Sequence, residues 1–202
     1  TLHDSAFYVL TAARNVYKCL DNDGNTASTV EPTGTNPSVV LTTSDDYKWK
    51  FMYTLSASQQ ANFLSTDFMA VATDSSVASA SVDGAIDIIK IKTAGSGGTN
   101  GTHTNIDIRG DGTGGKASVT VSSGAVTAVS VTTPGTGYTF ATISNAQIVT
   151  AGATNLTGAE LDVIIPPKGG HGKNAIEELG GFYVMMNTSL EGTESGNSGD
   201  FT

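Results

Sequence analysis

The sequence predicts a mainly β fold: a β-sandwich-like core with two short helices, interrupted by an inserted all-β module made of two repeats. Three observations predict it. Charged residues make up only 14 % of the 202, against 24 glycines, a balance that suits short strands and glycine turns better than amphipathic helices. Residues 47–54 (YKWKFMYT) alternate strictly, the period of a strand with one buried face. A Gly/Ser/Thr/Ala-rich stretch, 75–166, repeats itself at a spacing of forty residues.

In chain order, residues 6–10 (AFYVL) read as a short strand, 11–15 as a turn and 16–20 (VYKCL) as a second, alternating strand. Residues 21–25 (DNDGN) then close a hairpin, with Gly24 supplying a positive φ. Their spacing fails as a calcium loop, because Thr26 and Pro32 stand where the glycine and the closing glutamate belong. Glu31-Pro32-Thr33-Gly34 is a turn, since Pro32 presets its own φ and Gly34 tolerates a positive one. A polar loop leads to the main core strand, in which Tyr47, Trp49, Phe51 and Tyr53 share one face and Lys48, Lys50, Met52 and Thr54 the other. Ser56 and Gln59 form a capping box that opens a helix over 57–64, whose Ala61 and Leu64 are expected to lie on that strand.

These residues set three segments: 1–74 as the first part of the core, 75–166 as the insertion and 167–202 as the second part. Within the insertion, 89–99 match 129–139, Ile106 and Ile108 match Ala146 and Ile148, and 117–121 match 159–163 after two extra residues. Each unit reads as three short strands, the first ending in a Gly-Ser/Thr-Gly turn. Ser123-Gly124 makes a tight hairpin between Val121 and Val126. Two such units bury against each other apolar rows that neither could bury alone. Insertions are best tolerated where their two ends lie close together, which predicts that the region of Asp67 and that of Ile165-Pro166 are neighbours.

Beyond Pro167, residues 168–173 form a glycine-rich loop, Asn174 caps a second helix with Glu177 at its third position, and Gly180-Gly181 end it. Residues 182–187 (FYVMMN) read as a strand buried on both faces, and 190–202 as a polar loop. The chain begins Thr1-Leu2-His3-Asp4 and ends on Asp200-Phe201-Thr202, and reads as an internal piece of a longer protein.

The order EPTG, then D-x-Y-x-W-K-x-M-Y, then a short helix ending in FLSTDF, resembles the gene product eight family of baseplate wedge proteins in T-even-type contractile-tailed phages, most of all the cyanophage versions. A second block, PKGGHG followed by AIEELGGFYVM at 175–185, agrees with it. Together with the N-terminal strands the two blocks cover about half of the chain. The resemblance implies a homodimer in each of six wedges near the baseplate periphery, bound to several other wedge proteins. It implies a virion location after assembly in the host cytoplasm, and no catalytic residues.

The residues themselves carry little chemistry. A net charge of −9 argues against a phosphate-backbone binder. No apolar run approaches the ~20 residues that cross a bilayer, and the expectation from these residues is a chain without a signal peptide. Cys19 stands alone, so no internal disulfide forms. The run 169–174 (GGHGKN) departs from a phosphate loop at Pro167 and Asn174, which leaves weak anion binding at the following helix against a packing loop with His171 bonded to a carbonyl. Residues 110–115 (GDGTGG) lead into a strand rather than a helix, which excludes a dinucleotide loop. His3, His103 and His171 are too dispersed for zinc. Asp45-Asp46 and Glu177-Glu178 are adjacent pairs that point apart and form no acid–base dyad. Glycan-acceptor triplets at Asn100, Asn155 and Asn187 occur without any sign of secretion.

The expected function is therefore structural assembly through protein contacts, with no catalytic, cofactor-binding or metal-binding residues. Tyr47, Trp49, Phe51, Tyr53, Leu179, Phe182 and Val184 are expected to hold the fold, and loops 36–46 and 190–202 to meet partners. The alternative is a virion-surface β module that binds a host glycan or receptor, with Tyr138 and Phe140 as its sugar platform. A hydrolase would need two carboxylates across a cleft, which the sequence does not point to.

Overall fold

The computed structural model describes residues 7–189. It is mainly β, as the composition predicts. β1 (Tyr8–Leu10), β2 (Asn15–Asp21), β3 (Val40–Thr42) and β4 (Lys48–Thr54) form one antiparallel sheet in the order β1-β2-β4-β3. The aromatic row sits where its alternation places it: Tyr47, Trp49, Phe51 and Tyr53 are all buried. The opposite face is not solvated, however. Lys50 and Met52 are buried as well, and β2 is buried almost throughout, because later parts of the chain cover that side.

Residues 23–25 form a single turn with Gly24 at φ 67°, but no tight hairpin results. The partners of β2 are β1 and β4, and the chain wanders through 26–39 before β3 pairs with β4. In that excursion Pro32 is buried, and the Tyr17 hydroxyl donates to the Gly34 carbonyl at 3.0 Å. α1 (Ala57–Phe63) has the predicted capping box, with Gln59 N–H on Ser56 Oγ and Ser56 N–H on Gln59 Oε1. It buries none of its residues. Ala61 is exposed and Leu64 half-buried, so the helix lies on the surface rather than on the strand.

A second helix, α2 (Ser75–Ala80), occupies the start of the segment expected to be all β. Asp74 caps it by accepting from the Ser76 and Val77 amides, and buried Val77 joins the cluster of Tyr17, Trp49 and Phe51. α2 therefore packs with the first sheet, and the glycine-rich half has a separate core that starts at Ile86.

That half holds β5 (Ile88–Ser96), β6 (Gly101–Asp107), β7 (Arg109–Gly110), β8 (Lys116–Ser122), β9 (Ala125–Thr133), β10 (Ala141–Thr142), α3 (Asn145–Thr150) and β11 (Thr157–Ile164). The repeat is visible in the backbone: Gly95 and Gly97 have φ of 70° and 77°, and Gly135 and Gly137 have 68° and 76°. The units do not fold side by side. The third strand of each pairs antiparallel with the first strand of the other, β8 with β9 and β11 with β5. β8 and β9 meet through the predicted Ser123-Gly124 turn, both residues having positive φ.

The units differ in the middle. The first has strand β6, with Ile106 buried and Ile108 buried just beyond it. The second has α3 in place of the expected strand, opened by a Ser144/Gln147 capping box, with Ile148 buried and Ala146 exposed. The strand expectation followed the apolar match and overlooked the cap.

The chain passes from one half to the other through 81–87 and returns through 165–171, and these crossings touch. Gly169 N–H donates to the Asp83 carboxylate at 2.6 Å, and Ser81 Oγ donates to the His171 carbonyl at 2.8 Å. A Cβ on Gly170 would fall 2.4 Å from the Val82 carbonyl oxygen, so only glycine permits the approach. The neighbours are thus 81–83 and 169–171, so the first crossing lies not at Asp67 but beyond α2.

Cys19 is 1 % exposed, and burial pushes its thiol up to about 11. A thiol reagent at pH 8 is expected to leave the folded protein unmodified over hours and to react promptly in denaturant. A time course with Ellman's reagent checks this, and rapid labelling without denaturant would contradict the burial.

Candidate interaction surface

α4 (Ala175–Glu178) is one turn long and is positioned by charge. Asn174 caps it, accepting from Glu177 N–H at 3.3 Å. The carboxylate of Glu178 turns inward, accepting from the Gly172 amide at 2.7 Å and from His171 Nδ1, with Lys18 Nζ at 3.9 Å. Lys18 also donates to the Glu178 carbonyl at 3.2 Å. Beside them Lys50 donates to the Pro37 carbonyl at 2.7 Å, and the charges of Lys50, His171 and Glu178 all act on Asp87. Burial lowers both Lys18 and Lys50 and raises Asp87. The cluster ties β2, β4, the 81–87 crossing and α4 into one joint. A second ionic tie, from Lys48 and Lys90 to the largely buried Asp21, links the first sheet to β5.

Past this joint the chain turns outward. Gly180 takes φ 72°, Gly181 N–H closes back on the Ile176 carbonyl at 2.7 Å, and Phe182 N–H on the Gly180 carbonyl at 2.9 Å. The next residues are apolar and open to solvent: Phe182 is 80 % exposed, Tyr183 85 %, Val184 92 % and Met186 89 %. They border a groove of about 540 Å³ whose other wall is the 63–71 segment and whose floor includes Ile176 and Leu179. The Ser65 hydroxyl holds that wall by accepting from the Asp67 and Phe68 amides, and the Tyr53 hydroxyl by donating to the Ala70 carbonyl at 2.8 Å. Phe68 meets Tyr183 edge-on at 6.4 Å. Asn187 Nδ2 donates to the Asn62 carbonyl at 3.0 Å, so the outward segment is anchored at both ends.

Several expectations change here. Residues 182–187 form no strand, and Phe182 and Val184 lie outside the core; Leu179 alone of the three is buried. A strand needs a neighbouring strand, and among the described residues none reaches this segment. His171 bonds a carboxylate rather than a carbonyl. The Gly172 amide is taken by Glu178 and the Glu177 amide by Asn174, so two amides that an anion here could draw on are already used. Of the 36–46 loop, 40–42 are an edge strand, and Asp45 is spent on the Ser28 hydroxyl and the Thr29 and Val30 amides. Residues 190–202 lie outside the described residues.

Tyr138 is 2 % exposed, its hydroxyl accepting from Gly115 N–H and donating to the Ile108 carbonyl, so it offers no face to a sugar. Phe140 is exposed, on a turn held by the Asp111 carboxylate. Among the described residues no three His, Cys, Asp or Glu side chains are grouped to hold a metal, and no helix is long and apolar enough to cross a membrane.

Sequence reasoning missed the charge joint and the open face. Lys18 and Lys50 sit at alternating positions of β2 and β4, with no local signal of burial. The open face had its signal, a wholly apolar run after Gly180-Gly181, but it was read as core.

No protein-family model, curated protein or solved structure matches this chain.

Proposed function

We propose that this chain is a structural component of a phage tail baseplate wedge, acting through assembly contacts with itself and with other wedge proteins rather than through chemistry. The observation that carries this reading is the open apolar face. Phe68, Phe182 and Tyr183 are half-exposed or more, and at ~150–250 Å² for an aromatic side chain they alone open roughly 300–550 Å², to which exposed Ile176, Val184, Met185 and Met186 add. The largest patch on a typical monomer is about 300–600 Å². A face of this size, anchored at both ends rather than left loose, suits a surface that a partner covers. The EPTG…YKWKFMY and PKGGHG…AIEELGGFYVM blocks support the same reading: the first supplies the aromatic strand, the second the joint that holds the face out. The glycan alternative loses Tyr138 and keeps only Phe140.

Mass spectrometry and cryo-EM of virions from a phage that encodes this chain provide the test. The expected result is the chain in purified particles, at the baseplate, with 182–186 covered by protein. Absence from particles, or a virion position that leaves this face bare, would overturn the proposal.

A further inference from the structure

Asn100 is the one asparagine of the chain that a glycine follows. It is exposed, in the loop between β5 and β6, and Gly101 opens β6 at φ 145°, a conformation that favours glycine. A Cβ on Gly101 would meet nothing nearer than His103 at 3.8 Å, so the backbone here is not crowded. The Asn100 side chain is held: its Oδ1 accepts from the Gly124 amide at 2.9 Å. A donor fixed on a carbonyl oxygen makes the carbon beside it more open to attack and steadies the charge that attack puts on the oxygen.

We propose that Asn100 is a self-modification site: its side chain closes on the Gly101 amide to a succinimide, which water opens to aspartate and isoaspartate. The Gly101 main-chain nitrogen bonds to Cγ of Asn100 and gives its proton to solvent. The Cγ–Nδ2 bond breaks, and Nδ2 takes up a proton and leaves as ammonia. Water then adds to either ring carbonyl, with no oxidant or reductant involved. One opening restores the main chain with a carboxylate beside it. The other routes the main chain through the side-chain carbon and lengthens it by a methylene. What the site joins gives the step its consequence. Gly98 N–H donates to the Gly124 carbonyl at 2.9 Å, and Thr99 N–H to the Thr154 carbonyl at 3.0 Å. Residues 98–100 therefore clasp both the β8–β9 turn and the loop between α3 and β11. Aspartate keeps an acceptor for the Gly124 amide, whereas isoaspartate moves it out of place. The glycine-rich half thus carries a slow chemical step that loosens its crossed units, whatever the chain assembles with.

The test incubates the whole chain in mildly alkaline buffer for several weeks, folded and in denaturant, and maps its peptides by mass spectrometry. The expected result is a gain of one dalton at Asn100 of the folded protein, roughly ten times faster than at any other asparagine and at least as fast as in denaturant. Isoaspartyl methyltransferase should label the product. Asn100→Gln should remove the gain and leave the circular dichroism unchanged, because a longer side chain closes a less favourable ring. Hydrogen exchange at the Ser123-Gly124 turn should speed up in the isoaspartate fraction and not in Asn100→Asp. An unmodified Asn100 in the folded protein, or one that converts more slowly than in denaturant, overturns the proposal, since the fold then shields the site. Conversion spread evenly over the asparagines overturns it as well. Exchange at the turn that is the same in the isoaspartate fraction and in Asn100→Asp overturns the loosening.

Discussion

Trp49→Ala is expected to lower the unfolding free energy by about 3–5 kcal/mol, the range for emptying a buried aromatic site. Trp49 is 1 % exposed and lies in the middle of β4, between Cys19 on β2 and Leu41 on β3. Its ring stacks on Tyr47 at 5.4 Å and on Phe7 at 6.3 Å. The strands on both sides are tied by backbone ladders, so the site cannot collapse to fill the hole. The indole N–H is buried without a hydrogen-bond partner among the described residues. That sets up a sharper comparison. Trp49→Phe removes the unsatisfied donor together with part of the bulk, and relief of a buried unsatisfied group is worth about 1–3 kcal/mol. Urea denaturation should therefore find Trp49→Phe close to wild type and Trp49→Ala far below it. Equal losses would mean that the N–H is satisfied.

Glu178→Gln is expected to cost about 3 kcal/mol, toward the low end for breaking a buried ion pair from one side. The amide cannot offer charge to Lys18 or His171, although Lys18 keeps the main-chain carbonyl of residue 178. Burial pushes the Glu178 carboxyl up, but the bond and charge of His171, the Gly172 amide and Lys18 bring it below its ordinary 4.5. A carboxylate depressed by folding contributes stability that is complete above its unfolded value and is lost as pH falls through its folded value. Wild type should lose this contribution in acid, below about pH 4.5. Asp87 runs the other way. Burial raises it, so its charge costs stability near neutrality, and protonation returns that cost as pH falls from its raised value toward 3.8. In Glu178→Gln the first effect is gone and the second remains. The acid limb of a pH–stability profile should flatten or reverse; an unchanged limb would place the acid sensitivity elsewhere.

Much of the fold was legible because its signals are local. The aromatic alternation of β4, the Ser56/Gln59 box, the Asn174 cap and the matched glycine turns each need only a few neighbouring residues. What was not legible depends on distant parts of the chain. Lys18 and Lys50 are buried because α4 and the 81–87 crossing close over them, and no pattern within β2 or β4 announces that. Phe182 and Val184 failed as core residues for a related reason. Composition predicts a strand, but only a second strand can make one, and none of the described strands reaches them.

The crossed pairing of the two glycine-rich units bears on how the protein is made. During synthesis β5 leaves the ribosome early, yet the strand it needs ends at Ile164, so it must wait for nearly the whole module. β8 and β9 meet across a two-residue turn and can zip as soon as they emerge. Such distant pairing is slow to nucleate and leaves a sticky nascent edge in the meantime. A ribosome stalled near residue 150 would present that edge to chaperones, whereas one that finishes β11 would release a chain able to shut itself.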